Sequence, residues 1–284
     1  MRVQVGDVRL WFDVEGQGLV GEGPRMVARP TVVLVHGGPG ADHTVFKPWL
    51  SPLADSAQLV YLDLRGSGRS DRGDPEDWEW DRWGDDVAGL CDALGIDRPV
   101  VLGSSAGSWV ALQCALDHPG RLGGLVLDSA MPTTHEQALA VFERTGGPDV
   151  AEVARRFYAA EPGDEVTRAF VERCVPLYTR RMPAGIRADL FARMERNPDV
   201  EWRLRTGAMA RFDPWDRLHE ITCPVLILAG EDDPVTPAAE AARLAAALTG
   251  ARVRLERYER CGHGVYREVP EDALGATREF LASL

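Results

Sequence analysis

A serine between small residues is the strongest candidate for chemistry in this sequence. Residues 103–107 read G-S-S-A-G, follow an apolar run that predicts a buried strand, and precede a segment with helical spacing. A sharp strand-to-helix turn crowds its flanks, so small residues must stand two positions on either side of its central residue. Ser105 has glycines at both positions, whereas the rival candidate Ser104 does not. The pattern predicts that Ser105 is a nucleophile at the carboxyl end of a sheet.

His263 is the residue best placed to act as the base that a neutral serine hydroxyl requires. It is one of six histidines, and it stands between two glycines, after the last strand-like run and before the final helix-like segment. A loop there can bring an imidazole over the carboxyl edge of the sheet. His36 also precedes glycines, but we interpret it as a structural residue that anchors its loop.

Three aspartates are candidates for the carboxylate that would orient this imidazole. The role of such a group is to fix the tautomer and stabilise the imidazolium, and it does not take the proton. Residues 230–234, which follow a buried strand-like run, contain two of them. Asp233, three residues past the glycine that ends the strand, is our first choice, and Asp232 is the runner-up. Asp128, at the end of an earlier strand, is the third candidate.

A tetrahedral intermediate at Ser105 would also need hydrogen-bond donors where its oxyanion forms. The backbone N–H of Ala106, immediately after the nucleophile, is one expected donor. The other is expected from residues 36–40, which read H-G-G-P-G and follow an apolar run at residues 31–35. Glycines allow the backbone of this loop to approach a substrate closely.

The elements around these residues predict an α/β sheet. Apolar runs typical of strands occupy residues 8–12, 31–35, 59–62, 99–102, 125–127 and 224–228, with a weaker, edge-like run at 253–258. Helical spacing of apolar positions occurs at residues 80–94, 108–117, 237–248 and 270–284. Strands that are apolar throughout and alternate with helices indicate a mostly parallel sheet with helices on both faces.

One long segment interrupts this alternation. Residues 131–212 contain no strong strand signal, and several stretches rich in Glu, Arg and Ala suit helices. We expect a helical cap at 131–212, inserted into a core made of residues 1–130 and 213–284. The polar, glycine-containing residues 15–29 are expected to form an exposed loop.

Composition narrows the classes of partner. The 284 residues are 45% hydrophobic and 27% charged, with a net charge of −12, and no apolar run reaches the length that spans a bilayer. We therefore expect no nucleic-acid partner, because nucleic-acid binding usually requires a basic surface, and no membrane partner. Five cysteines without C-x-x-C spacing and an N-terminus without a signal-like apolar core favour a cytoplasmic protein.

Three motifs in order support a family resemblance. H-G-G-P-G at residues 36–40, D-L-R-G-S-G-R-S at 63–70 and G-S-S-A-G-S at 103–108 resemble the proline iminopeptidase branch (peptidase family S33) of the α/β-hydrolases. The resemblance covers nearly the whole chain outside the cap. It implies the α/β-hydrolase fold with an inserted helical cap, and the reaction would require no cofactor or metal. The site residues that it implies are catalytic Ser105, Asp233 and His263, with Gly38 and Ala106 as oxyanion donors.

Two departures from that branch leave the substrate open. The family has a tryptophan after the nucleophile, where this chain has Ala106, and its caps carry acids that hold the free amine of the substrate. No motif matches those acids here, and the candidates are Glu136, Glu143, Glu195 and Glu201. The predicted function is a serine hydrolase that cleaves a small amide or ester through an acyl-enzyme, and the resemblance implies that the reaction is the release of N-terminal proline. The alternatives are an esterase or lactonase acting on a small neutral metabolite, and a ligand-binding protein on a hydrolase scaffold.

Overall fold

The computed structural model describes residues 1–130, 135–159, 161, 163–208 and 211–284. Within these ranges the strands are β1 (Arg2–Val5), β2 (Val8–Glu15), β3 (Leu19–Glu22), β4 (Arg25–Ala28), β5 (Thr31–Val35), β6 (Gln58–Asp63), β7 (Val100–Ser104), β8 (Gly124–Asp128), β9 (Val225–Gly230) and β10 (Val253–Tyr258). The α-helices are α1 (Trp80–Leu94), α2 (Ala106–Asp117), α3 (His135–Gly146), α4 (Pro148–Tyr158), α5 (Asp164–Arg173), α6 (Ala184–Arg193), α7 (Pro198–Arg203), α8 (Ala238–Ala247), α9 (Val265–Glu268) and α10 (Pro270–Ala282). None of the helices in these ranges has the length and apolar character needed to cross a membrane.

Eight of the strands form one sheet in the order β1-β2-β6-β5-β7-β8-β9-β10. The pairs β1–β2 and β2–β6 are antiparallel, and the other five pairs are parallel. The predicted mostly parallel sheet is confirmed, and β10 lies at its edge. Because β5, β7, β8 and β9 are parallel neighbours, the loops that follow them meet at one edge of the sheet.

The prediction of a loop over residues 15–29 is wrong in part. Two short strands, β3 and β4, pair antiparallel across this segment, with Glu22 opposite Arg25. Gly23 supplies the positive φ of 59° that the turn between them requires. The side chains of this hairpin are mostly exposed, so the segment lacks the apolar pattern by which the sequence marks a strand.

Helices cover both faces of the sheet, as predicted. Along β5, Val33 and Val35 belong to one buried cluster while Val32 and Leu34 belong to another, because successive side chains of a strand point to opposite faces. Side chains of α1, α2 and α8 complete the first cluster, and those of α9 and α10 complete the second. This explains why the central strands are apolar at every position.

Helices α3 to α7 lie between β8 and β9 in the chain, and the first three of them have an apolar cluster of their own. That cluster includes Phe142, Phe157, Phe170 and Cys174, and the rings of Phe157 and Phe170 stack with centroids 3.8 Å apart. The expected cap boundaries at residues 131 and 212 remain a prediction, since residues 131–134 and 209–210 lie outside the described residues.

The turn after β6 is fixed by a buried arginine. Arg65 is only 1% exposed, and its Nε and Nη2 donate to the two carboxylate oxygens of Asp86 on α1, at 2.9 and 2.8 Å. Asp7 accepts two further hydrogen bonds from the same guanidinium. A buried charge requires such partners, because desolvation without compensation is costly. The pair therefore connects this turn to α1 and to the start of β2.

We expect Asp86→Ala to lower the free energy of unfolding by about 3 kcal/mol, since it leaves the buried Arg65 charge short of its main partner. Asp85→Ala is the matched control, because Asp85 is exposed and its side chain pairs with a partly exposed histidine, His118. It should change stability by less than about 1 kcal/mol. Denaturant unfolding of both variants measures the difference, and equal losses would contradict this account.

Candidate active site

Ser105 lies between the end of β7 and the first turn of α2 in a strained conformation. Its φ of 53° and ψ of −124° fall in a region that non-glycine residues seldom adopt. Gly103 and Gly107 make this turn sterically feasible: a Cβ at Gly103 would overlap the carbonyl of Gly107, and one at Gly107 would overlap the carbonyl of Val35. The two glycines therefore have the role that their spacing predicts.

Ser104 and Asp128 form a hydrogen-bonded pair beneath this turn. Ser104 Oγ donates to Asp128 Oδ2 at 2.6 Å, and both side chains are buried. The other oxygen of Asp128, Oδ1, accepts from the backbone N–H of Val265 at 3.0 Å and from the Ser129 hydroxyl at 3.1 Å. In this arrangement Asp128 holds two loops together and has no hydrogen bond to an imidazole among the described residues.

Asp233 and His263 are brought together over the ends of β9 and β10. His263 Nδ1 lies 2.9 Å from Asp233 Oδ2. Asp233 is fully buried and also accepts from the Val235 N–H, the Thr236 N–H and the Thr236 hydroxyl. Burial by itself raises the pKa of this carboxyl, but the charge of His263 and the hydrogen bonds outweigh burial and keep the pKa below its usual range.

Asp232, the alternative acid, points elsewhere. Its side chain is half-buried and forms an ion pair with Arg180 of the cap, with 3.5 Å between Oδ2 and Nε. These two adjacent aspartates therefore differ in their surroundings. Asp233 is fully buried and contacts the imidazole, whereas the carboxylate of Asp232 lies at the surface.

The loop that contains His263 is held by four successive backbone amides. Gly262 N donates to Glu268 Oε2, His263 N to the carbonyl of Tyr178, Gly264 N to Ser129 Oγ and Val265 N to Asp128 Oδ1, at 3.2, 2.6, 2.9 and 3.0 Å. The Tyr178 ring lies edge-on against the imidazole, with centroids 5.5 Å apart. The loop is therefore fixed on one side by β8 and on the other by the cap.

Tyr178 and Glu268 are residues that sequence reasoning missed. Glu268 is 3% exposed, and its carboxylate also accepts from the backbone amides of Arg180 and Arg181. No motif marks either residue. The one available signal is a glutamate five positions after His263, and this gives no indication that a cap segment lies against it.

The loop after β5 passes close to Ser105. A Cβ at Gly37 would lie 2.7 Å from the Cβ of Ser105, and Gly38 has a φ of 57°. Ala106 stands in the first turn of α2, where backbone amides have no intrahelical acceptor. The assignment of the Gly38 and Ala106 amides as oxyanion donors stays a prediction.

His36 anchors this loop, in agreement with its structural interpretation. It is 2% exposed; its Nε2 accepts from the backbone N–H of Leu64 at 3.1 Å, and its Nδ1 lies 3.1 Å from the carbonyl of Gly37. Burial lowers the pKa of the imidazole, although the nearby charge of Asp63 opposes that shift. A neutral His36 can accept and donate in this way at the same time.

Asp63, which opens the D-L-R-G-S-G-R-S motif, belongs to a buried cluster with Asp42 and His43. Oxygens of Asp63 accept from the backbone N–H and the Nδ1 of His43 and from the Arg69 N–H. Those of Asp42 accept from Thr44 N and Arg69 Nη1. Protein donors thus engage the carboxylates of the cluster, which braces the turn, and we assign it no metal.

The comparisons with known proteins agree with this architecture. Residues 30–268 match the family described as alpha/beta hydrolase fold. A strained serine turn at the carboxyl edge of a parallel sheet is the signature of that class. The chain belongs to the α/β-hydrolase fold family.

Individual relatives define its branch. A protein of Caulobacter sp. (strain K31), named as a candidate carbamate hydrolase RutD, is 30% identical over 268 residues, which are 87% of this chain and 94% of that protein. The proline iminopeptidase of Heyndrickxia coagulans is 27% identical and covers 89% of this chain and 91% of its own length. A solved esterase from Thermogutta terrifontis aligns with a TM-score of 0.72 at 27% identity, over 100% of this chain and 98% of its own. The protein is an enzyme of the proline iminopeptidase-like branch.

We expect Asp233→Asn to lower kcat by about 10³- to 10⁴-fold, because an amide donates to the imidazole and fixes the wrong tautomer. Asp232→Asn is the matched control and should change kcat less than about threefold, since its partner is a surface arginine. Hydrolysis of 4-nitrophenyl acetate measures both variants. Equal losses of activity would remove Asp233 from the site.

Proposed function

We propose that this enzyme is a serine hydrolase that cleaves a small ester or amide through an acyl-enzyme. The observation that carries the proposal is the buried Asp233–His263 hydrogen bond, on the same edge of the sheet as the strained turn at Ser105. A conformation with φ of 53° is costly for serine, and such strain is found mostly at functional positions.

The proposed reaction has two halves. Ser105 Oγ attacks the substrate carbonyl while His263 takes its proton, and the Ala106 and Gly38 amides stabilise the oxyanion. His263 then gives the proton to the departing alcohol or amine, which leaves an ester on Ser105. Water attacks this ester with His263 again as the base, and His263 then returns that proton to Ser105 Oγ as the acid product leaves. Asp233 holds the imidazole in one tautomer throughout.

Two substrate classes follow from the relatives. Release of N-terminal proline is the activity named for the relative from Heyndrickxia coagulans, and ester hydrolysis is named for the structure from Thermogutta terrifontis. An iminopeptidase needs acids to hold the substrate amine.

The four candidate acids of the cap favour the second class, an ester or a lactone, because two of them are paired with arginines and two are exposed. Glu195 Oε1 lies 3.5 Å from Arg69 Nη2, and Glu201 Oε2 lies 2.8 Å from Arg196 Nη2. Glu136 and Glu143 are the exposed pair.

We expect Ser105→Ala to lower turnover by roughly 10⁴- to 10⁶-fold, because it removes the nucleophile. Ser104→Ala, the neighbouring hydroxyl, should retain most of the activity, and a fluorophosphonate should label the wild-type protein at position 105 alone. Mass spectrometry of the labelled peptide identifies the site. Near-normal hydrolysis by Ser105→Ala would exclude the mechanism.

The substrate class is tested with the phenyl esters of proline and of cyclopentanecarboxylic acid, which differ only at the ring amine. An enzyme that holds the amine through a carboxylate would prefer the prolyl ester by about tenfold or more in kcat/KM. We expect no such preference. A clear preference for the prolyl ester would assign the iminopeptidase activity instead.

A further inference from the structure

Arg267 is a cation that the proposed reaction does not use, and it lies against the loop of the proposed base. It belongs to α9, which begins two residues after His263. Its guanidinium folds back over that loop, with Nη2 3.5 Å from the carbonyl oxygen of His263. A Cβ at Gly264 would overlap the guanidinium, so the missing side chain at Gly264 is what provides its space.

The carboxylates that influence Arg267 electrostatically are committed to other donors. They are Asp128, Glu268 and Asp233. Asp128 binds Ser104, Ser129 and the Val265 amide, Glu268 binds three backbone amides, and Asp233 binds His263 and the 235–236 turn. Within the described part of the chain, the guanidinium donates one hydrogen bond, which is the long contact to the His263 carbonyl.

A guanidinium has five N–H donors, so Arg267 has donors to spare. Its side chain is half-buried, and yet burial lowers the pKa of the group, against the opposing effect of the three carboxylates. Buried arginines are normally paired, and Arg65 in the same protein illustrates this with two carboxylate partners.

We propose that Arg267 binds a carboxylate of the substrate and so selects anionic esters or amides over neutral ones. The inference rests on the proposed function, since it places this carboxylate beside the His263 loop while the scissile carbonyl meets Ser105. The planar fork of arginine matches a carboxylate through two parallel hydrogen bonds, which lysine cannot reproduce. The substrate is therefore an acidic metabolite, in place of the neutral one considered from sequence.

Matched ester pairs test this, because a structural defect affects both members of a pair alike. 4-Nitrophenyl hydrogen succinate and 4-nitrophenyl butyrate differ by a carboxylate on the acyl side. The butyrate esters of 4-hydroxybenzoic acid and of its methyl ester differ by a carboxylate on the leaving group. The two pairs distinguish which half of the substrate carries the anion.

For each pair, the measured quantity is kcat/KM of the charged ester divided by kcat/KM of the neutral ester. We expect Arg267→Gln to lower this ratio by about 10- to 100-fold in one of the two pairs, mainly through KM. Arg267→Lys should recover part of that ratio, because it keeps the charge and loses the fork. Arg260→Gln, a change at an exposed arginine three residues before His263, should leave the ratio as it is. An unchanged ratio in both pairs of Arg267→Gln would overturn the proposal.

Binding separates this proposal from the proposed function. If the wild-type protein hydrolyses none of the four esters, the serine mechanism fails, and calorimetry with Ser105→Ala then tests Arg267 alone. Weaker binding of the charged ester by the double variant Ser105→Ala/Arg267→Gln would still support the carboxylate site. Equal binding, or equally undetectable binding, would overturn it.

Discussion

The buried hydrogen bond between Asp233 and His263 is the interaction on which the arrangement of the site depends. A carboxylate with no exposure to water is tolerated only when protein donors satisfy its oxygens. Here the 235–236 turn and the imidazole supply them. The turn after β9 and the loop after β10 must therefore keep a fixed relative position, which the parallel pairing of these two strands provides.

Asp128 connects this arrangement to the turn at Ser105. Its side chain connects Ser104, next to the strained residue, with Val265 in the loop of the imidazole. Its main-chain carbonyl also accepts from the Ser105 N–H at 2.9 Å. The strained backbone conformation of Ser105 persists because contacts from the surrounding structure hold it in place. Asp128 supplies a large part of these contacts. A carboxylate that looked like a third candidate for proton-relay chemistry is thus better explained as the link between the two loops.

The cap contributes to the position of the imidazole. The carbonyl of Tyr178 accepts from the His263 amide, and Glu268 joins the following cap residues to Gly262. A displacement of this cap segment must break the bond to His263, so the geometry of the imidazole and the position of the cap are coupled. Arg267 lies on the same loop, which brings the proposed recognition of the substrate into that coupled unit.

The sequence by itself determined the local features: the sharp turn at Ser105 with its two glycines, the apolar strands, and the helical character of the cap. These features depend on short-range sterics and on the periodicity of side chains, and both can be read from residues that are close together in the chain. Only the tertiary structure decided which aspartate meets His263, that Asp128 joins two loops, and that Tyr178, Glu268 and Arg267 lie around the imidazole. Each of these depends on contacts between segments far apart in the chain, and such contacts exist only after the sheet and the cap have packed.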